Sequence, residues 1–275
     1  MLSDLLPLVH WNIHPVLIQI FSLEIRWYGV FFAAGVFLFS LFIEKDEKIR
    51  AILPTPAARD SLLAQAIGST LIGSKLGYVI LYTPNYMWGK TLLTLQGFSF
   101  HGGLVGILFY SIYLSKLYPA QFATLLDRIA IWVPWSLALG RIGNFFNSEL
   151  IGRPTYANWG VCFHYGDWQT IPRHPSQLYE ALGEGILLGF FMYLVDRNLS
   201  KKTPGLRCSF FLIAYGVIRL YLEQFRQPDA QIGFVLHHWT LGQLLCAMMI
   251  AMGLSLWAYL KITSSLTSLA KGQIL

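Results

Sequence analysis

Seven stretches of this chain are apolar and about twenty residues long, and they constrain its fold more than any other feature. They run roughly over 25–44, 60–82, 99–118, 128–146, 175–195, 207–226 and 239–260. At a rise of about 1.5 Å per residue, such a stretch crosses about 30 Å of hydrocarbon as a helix. Charged residues make up only 12% of the 275-residue chain and apolar ones 55%. Soluble domains hold about a quarter charged residues. The runs lack two-residue alternation and are too long for the strands of a membrane barrel. The expected fold is an all-α integral membrane protein with seven transmembrane helices, formed as a single polytopic domain over 1–275. The first twenty residues place no Lys or Arg ahead of an apolar run, so they do not read as a cleavable signal.

Orientation follows from the basic residues in the connections. One set holds Lys45, Lys48, Arg50, Arg59, Lys116, Arg128, Arg197, Lys201, Lys202, Arg207, Lys261 and Lys271. The other holds Arg26, Lys90, Arg153, Arg173 and Arg226. Twelve against five puts the first set in the cytoplasm, the N-terminus outside and the C-terminus inside. The connection 147–174 is polar and carries Gly, Pro, Trp and Tyr, and is expected to form a small external cap. The net charge of +6 is spread among loops with no basic arm, which argues against a nucleic-acid partner. Cys162, Cys208 and Cys246 have no metal or redox spacing and read as packing residues. His237 and His238 are adjacent and point to different faces, so no metal site is expected there either. There is no G-x-S-x-G elbow, H-E-x-x-H helix or Walker loop.

Three cations, Lys75, Arg141 and Arg219, remain inside spans. Each costs about 2.5–3.5 kcal/mol on insertion, so each must hold a partner or a substrate. All three fall about 16–24 Å from the predicted cytoplasmic end, deep enough to share one anion site. The alternative is that each is paired with a carboxylate, and Arg219 has Glu223 one turn on. Tyr215, Arg219 and Arg226 lie within about 40° of one another on a helical wheel. Such a stripe suits a phosphate, which arginine binds through a planar fork of donors. Arg141 lies in Gly140-Arg141-Ile142-Gly143-Asn144-Phe145-Phe146-Asn147-Ser148-Glu149-Leu150-Ile151-Gly152, an apolar span's tail carrying two amides and a carboxylate. Pro134 in the same span is expected to kink it.

Two further clusters carry polar chemistry. Phe100-His101-Gly102-Gly103-Leu104-Val105-Gly106 opens the third span, with glycines that admit a close helix or lipid and a histidine suited to base catalysis. Arg173-His174-Pro175-Ser176-Gln177-Leu178-Tyr179-Glu180 opens the fifth, with Pro175 fit for a first helical turn. Gln177, Glu180 and Glu184 share one face of that helix, either to neutralise the arginines or to act directly.

These blocks resemble the prolipoprotein diacylglyceryl transferase family. Five match in order: Arg26-Trp27-Tyr28-Gly29, the His101-Gly102-Gly103 turn, Gly140 to Gly152, His174 to Glu180, and Tyr215 through Arg226-Gln227-Pro228-Asp229-Ala230-Gln231. The resemblance implies a seven-helix enzyme of the bacterial cytoplasmic membrane. It would move the diacylglyceryl group of phosphatidylglycerol to the lipobox cysteine of a prolipoprotein signal peptide, forming a thioether and releasing glycerol phosphate. Its partners would be these two substrates and the surrounding membrane lipids, with no metal or other cofactor. By motif, Arg141 and Arg219 would contact phosphate, and Tyr28, His101, Asn144, Glu149, Gly152 and Tyr215 fall on important positions. Arg226 joins the lipid-binding set. Lys75 stands where relatives often carry Arg, so a bidentate contact there is in question. The substrate thiol would be the nucleophile, with His101 as base and Glu149 as a helper. The rival class is a transporter or flippase for an anionic lipid or solute, which would move cargo without a covalent product.

Overall fold

The computed structural model describes residues 9–21, 23–83, 87–92, 97–165, 171–199, 203–228, 234–235 and 239–272. Lys201, Lys202, Asp229, Ala230, Gln231, His237, His238 and positions 166–170 of the expected cap lie outside the described residues. The chain divides into two compact units, one of Met1–Phe42 with Leu126–Leu275 and one of Ile43–Leu125.

The helices are α1 (Trp27–Lys45), α2 (Glu47–Ile52), α3 (Pro56–Tyr82), α4 (Trp88–Leu92), α5 (Phe100–Leu117), α6 (Phe122–Phe146), α7 (Ser176–Glu180), α8 (Leu188–Asn198), α9 (Leu206–Leu222) and α10 (Leu241–Gly272). A π-helical segment, Ala181–Leu187, joins α7 to α8 without a break. Every one of the seven apolar stretches falls on a helix. Among the described residues, four helical runs are long and apolar enough to cross a membrane: Trp27–Lys45, Phe122–Phe146, Ser176–Asn198 and Leu241–Leu266. The windows of the first and last are only 11% buried, so their apolar side chains face outward, as lipid contact requires.

Two differences from the sequence reading matter. The first helix begins at Trp27, because β2 (Val16–Ile20) and β3 (Leu23–Arg26) pair antiparallel ahead of it. Phe21, just after β2, has a positive φ and is 96% exposed. The ninth helix ends at Leu222, so Arg226 lies beyond it rather than on its stripe. Pro134 lies inside α6.

In the smaller unit, α3 and α5 pack through glycines. A Cβ on Gly77 would come within 2.6 Å of the Gly102 Cα, and one on Gly73 within 2.9 Å of the Gly106 Cα. The close neighbour that the His101-Gly102-Gly103 turn admits is thus another helix. Arg59 is buried in this unit, with Nε and Nη2 on the Glu44 carboxylate at 2.7 and 2.8 Å.

In the larger unit, Ala130, Ile131, Leu188 and Met192 form an apolar core beneath Trp132, Phe211 and Tyr215. Glycines again set the spacing. A Cβ on Gly185 would meet the Ala138 Cα at 2.8 Å, so α6 lies directly on the π segment. Arg128 and Arg207 both bind Asp196, at 2.7 and 2.8 Å. Arg59, Arg128 and Arg207, counted above as loop charges, are therefore fixed in ion pairs. A second cluster of Phe145, Ile151, Val161 and Phe163, with Trp11 and Phe146 against it, anchors the end of α6. Strand β1 (Val9–Trp11) pairs in parallel with β4 (Val161–Phe163) over that cluster. Two short strands, β5 (Phe234–Val235) and β6 (Trp239–Thr240), precede α10.

Candidate active site

Arg141 and Arg219 come from α6 and α9 to the same two carboxylates. Arg141 Nη1 lies 2.9 Å from Glu180, and its Nη2 lies 3.0 Å from Glu184. Arg219 Nη1 lies 3.0 Å from each of Glu180 and Glu184, and its Nη2 is 2.7 Å from Glu223. Arg226 reaches Glu180 at 3.6 Å from the turn after α9. Glu180 and Glu184 are 1% and 0% exposed. The π segment begins right after Glu180 and carries Glu184 between Gly183 and Gly185, whose missing side chains let α6 and α9 close over it. Single π turns recur at functional sites because they turn one side chain out of the helical register.

Among the described residues the cluster is electrically balanced, with three arginines (Arg141, Arg219, Arg226) against three glutamates (Glu180, Glu184, Glu223). Both readings of the fifth-span carboxylates bear on this, and here they neutralise the arginines. Glu180 is held by the charge of three guanidiniums, those of Arg141, Arg219 and Arg226. A guanidinium has five N–H donors. Three on each of Arg141 and Arg219 face these carboxylates, which leaves two on each without a partner among the described residues. Tyr215, one turn before Arg219, lies within electrostatic reach of both arginines and of Glu184.

Beside this cluster the chain leaves α6 in a tight turn. Ser148 and Leu150 both adopt left-handed φ values, 55° and 54°, on either side of Glu149. Such non-glycine conformations cost on the order of 1–3 kcal/mol each and persist only where the surroundings dictate them. The dictation is visible in four consecutive carbonyls. Glu149 O accepts from Gln177 Nε2 at 2.6 Å and Leu150 O from Ser176 Oγ at 3.2 Å. Ile151 O accepts from the Gln227 N–H at 3.2 Å and Gly152 O from Arg173 Nη1 at 2.9 Å. The Glu149 carboxylate accepts from Asn147 Nδ2 at 3.0 Å and from Asn144 Nδ2 at 3.4 Å. Tyr28 lies within electrostatic reach of both this carboxylate and Arg141. Gly152 pairs with Arg226, and a Cβ there would meet His174 Cβ and Phe225 O at 2.8 Å.

A scan of known families matches residues 15–259 to the one described as prolipoprotein diacylglyceryl transferase. This chain belongs to that family. A protein of Rickettsia typhi is 38% identical over 248 residues, covering 88% of this chain and 95% of its own length. One of Cupriavidus pinatubonensis is 38% identical over 266 residues, covering 92% and 94%. Both are named phosphatidylglycerol–prolipoprotein diacylglyceryl transferase. Family membership makes the chain a transferase enzyme with bacterial relatives.

Of the residues expected at the family's site, Tyr28, Arg141, Asn144, Glu149, Gly152, Tyr215, Arg219 and Arg226 all lie in the larger unit. His101 and Lys75 lie in the smaller unit. His101 is in the first turn of α5, where Ser99 Oγ caps the Gly102 N–H at 3.3 Å. Lys75 Nζ sits 5.3 Å from the centre of the Phe98 ring. Sequence reasoning passed over Asn147, which joins the start of α1 to Glu149. Its spacing of three from Asn144, which puts the two amides on neighbouring faces of one turn, was the available signal.

Proposed function

We infer that this enzyme transfers the diacylglyceryl group of phosphatidylglycerol to the lipobox cysteine thiol of prolipoproteins. The observation that carries this reading is the pair of buried guanidiniums, Arg141 and Arg219, fixed by shared carboxylates in a chain of this family. The thiolate sulfur attacks the glyceryl carbon that bears the phosphate ester. A carbon–sulfur bond forms, the carbon–oxygen bond breaks, and its electron pair leaves on the phosphate of glycerol phosphate. The products are a thioether-linked prolipoprotein and glycerol phosphate.

A free thiol is only a few per cent thiolate near neutral pH, so a base speeds the first step. We assign base catalysis to His101, with Glu149 as a second candidate for the proton. The departing phosphate gains charge as the bond breaks. Donors already held in place stabilise that charge without reorganising, so they lower the barrier more than they tighten ground-state binding. The two remaining N–H groups on each guanidinium are suited to this. Because glutamates already cancel the cluster's charge, headgroup selectivity rests on directed donors rather than on excess positive potential. Tyr28 joins Arg141, Arg219, His101 and Glu149 as a catalytic residue, and Asn144, Gly152, Tyr215 and Arg226 complete the proposed lipid site. Gly152 serves by letting the Arg226 backbone pass close to the turn.

In the membrane, the seven long helices would all span the bacterial inner membrane, with the N-terminus outside, the C-terminus cytoplasmic and 147–174 as an external cap. The balance of basic residues and the outward apolar faces of α1 and α10 support this arrangement.

The test is a reconstituted assay. Purified protein, phosphatidylglycerol and a lipobox peptide should yield diacylglyceryl-modified cysteine and glycerol phosphate by mass spectrometry, and Arg141→Ala should abolish both. Intact lipid moved across the bilayer with no modified peptide would favour the transporter reading. A His101→Gln variant at wild-type rate would place the base elsewhere.

A further inference from the structure

We propose that Asn147 is a positioning residue that orients the Glu149 carboxylate for the reaction. The proposal rests on the reading that Glu149 acts at the lipid site. Asn147 is 6% exposed and lies one residue past the end of α6. Its Oδ1 accepts from the Tyr28 backbone N–H at 2.9 Å, and its Nδ2 donates to Glu149 Oε1 at 3.0 Å. The chemistry of the partners fixes which end of the amide is which. A backbone N–H only donates and an ionised carboxylate only accepts, so a flipped amide would lose both bonds.

Two constraints therefore meet in one side chain. The Tyr28 N–H is among the first of α1, with no helical acceptor of its own, and Asn147 satisfies it from another element. The same amide holds one oxygen of Glu149, while Asn144 approaches the other at 3.4 Å. The backbone beneath Glu149 is held by Gln177 from α7, at 2.6 Å. Among the described residues, the titratable group shown facing the carboxylate is Tyr28 from α1, which Arg141 from α6 also reaches. Asn147 thereby locks the start of α1, which carries Tyr28, in register with Glu149 and Arg141. A strained turn held at four consecutive carbonyls and an amide that admits one orientation are what a preorganised carboxylate needs.

The test uses Asn147→Asp, which keeps the acceptor toward Tyr28 and replaces the donor toward Glu149 by an oxygen. Two carboxylates in contact raise each other's affinity for a proton, so the pair takes one up as pH falls. In the intact enzyme in phosphatidylglycerol-containing micelles, kcat should fall about ten- to a hundredfold at pH 8, the scale set by misplacing a reacting group. The rate should recover as pH falls, when a shared proton restores a donor to Glu149. KM for phosphatidylglycerol should change little. A wild-type rate and pH profile would overturn the proposal, since capping α1 alone needs only the retained acceptor. Should N147D melt early, the double variant with Glu149→Gln offers the new carboxylate an amide and should restore the melting temperature. Failure of that rescue would also overturn it. Glu149→Gln alone separates the two ideas: full activity there sinks the role of Glu149 itself, whereas lost activity with a normal N147D sinks only the positioning role.

Discussion

Replacing Glu184 by Gln removes one charge from the centre of the ion cluster and almost no volume. Glu184 is 0% exposed, with its oxygens 3.0 Å from Arg141 Nη2 and 3.0 Å from Arg219 Nη1. Breaking a buried pair by removing one partner's charge costs about 3–5 kcal/mol. The Gln carbonyl still accepts one N–H, which offsets about 1 kcal/mol. The remaining loss of about 2–4 kcal/mol should lower the melting temperature by roughly 5–15 °C for a chain of this size. The variant cluster then carries one unbalanced positive charge. An anionic headgroup bound at the free donors supplies the missing counter-charge and stabilises the native state by mass action. Melting is followed by tryptophan fluorescence in detergent, with and without added lipid. Phosphatidylglycerol should close most of the gap between Glu184→Gln and the wild type, and a zwitterionic lipid should close little of it. An unchanged melting temperature would mean that Glu184 does not hold the guanidiniums. A gap equally insensitive to both lipids would refute anion binding at Arg141 and Arg219.

Three further outcomes are expected. Arg219→Lys offers a point charge where three carboxylates need a fork, so transfer should drop on the order of a hundredfold or more in folded protein, measured by peptide modification. Gly152→Ala should destabilise by about 1–3 kcal/mol through overpacking against His174 and Phe225, read as a lower melting temperature. Burial pushes the His174 imidazole below its usual value of 6.5, so the unfolded chain binds the proton more readily in between. Stability present above that value should be lost as pH falls through the folded one, and His174→Gln should flatten the difference in melting temperature between pH 7.5 and pH 5.

The apolar runs named every long helix, because twenty apolar residues in a row answer to a local rule that needs no knowledge of neighbours. Arg219 with Glu223, and Glu180 with Glu184, were legible for the same reason: residues four apart on a helix are neighbours wherever the helix sits. Arg226 was not placed correctly by that logic. Its angle on an extended helical wheel matched Tyr215, yet α9 stops at Leu222 and the turn beyond brings Arg226 to Glu180 by another route. The π segment left no periodic signature either. It arises where Gly183 and Gly185 let α9 and α6 close over Glu184, a property of two contacts rather than of one stretch. The same holds for Ser148 and Leu150, which hold left-handed φ values because partners from elsewhere in the chain hold their turn.

Local chemistry alone thus determined that this chain enters a membrane, where its helices run, and that uncommon charges inside them demanded partners. Only the tertiary structure decided who those partners are. It joined Arg141 and Arg219 through two carboxylates more than thirty residues away in sequence, and tied Tyr28 to Glu149 through one amide. Hydrophobicity is a property each residue brings with it. An ion cluster centred on buried carboxylates exists only once several segments pack together, so no segment carries it alone.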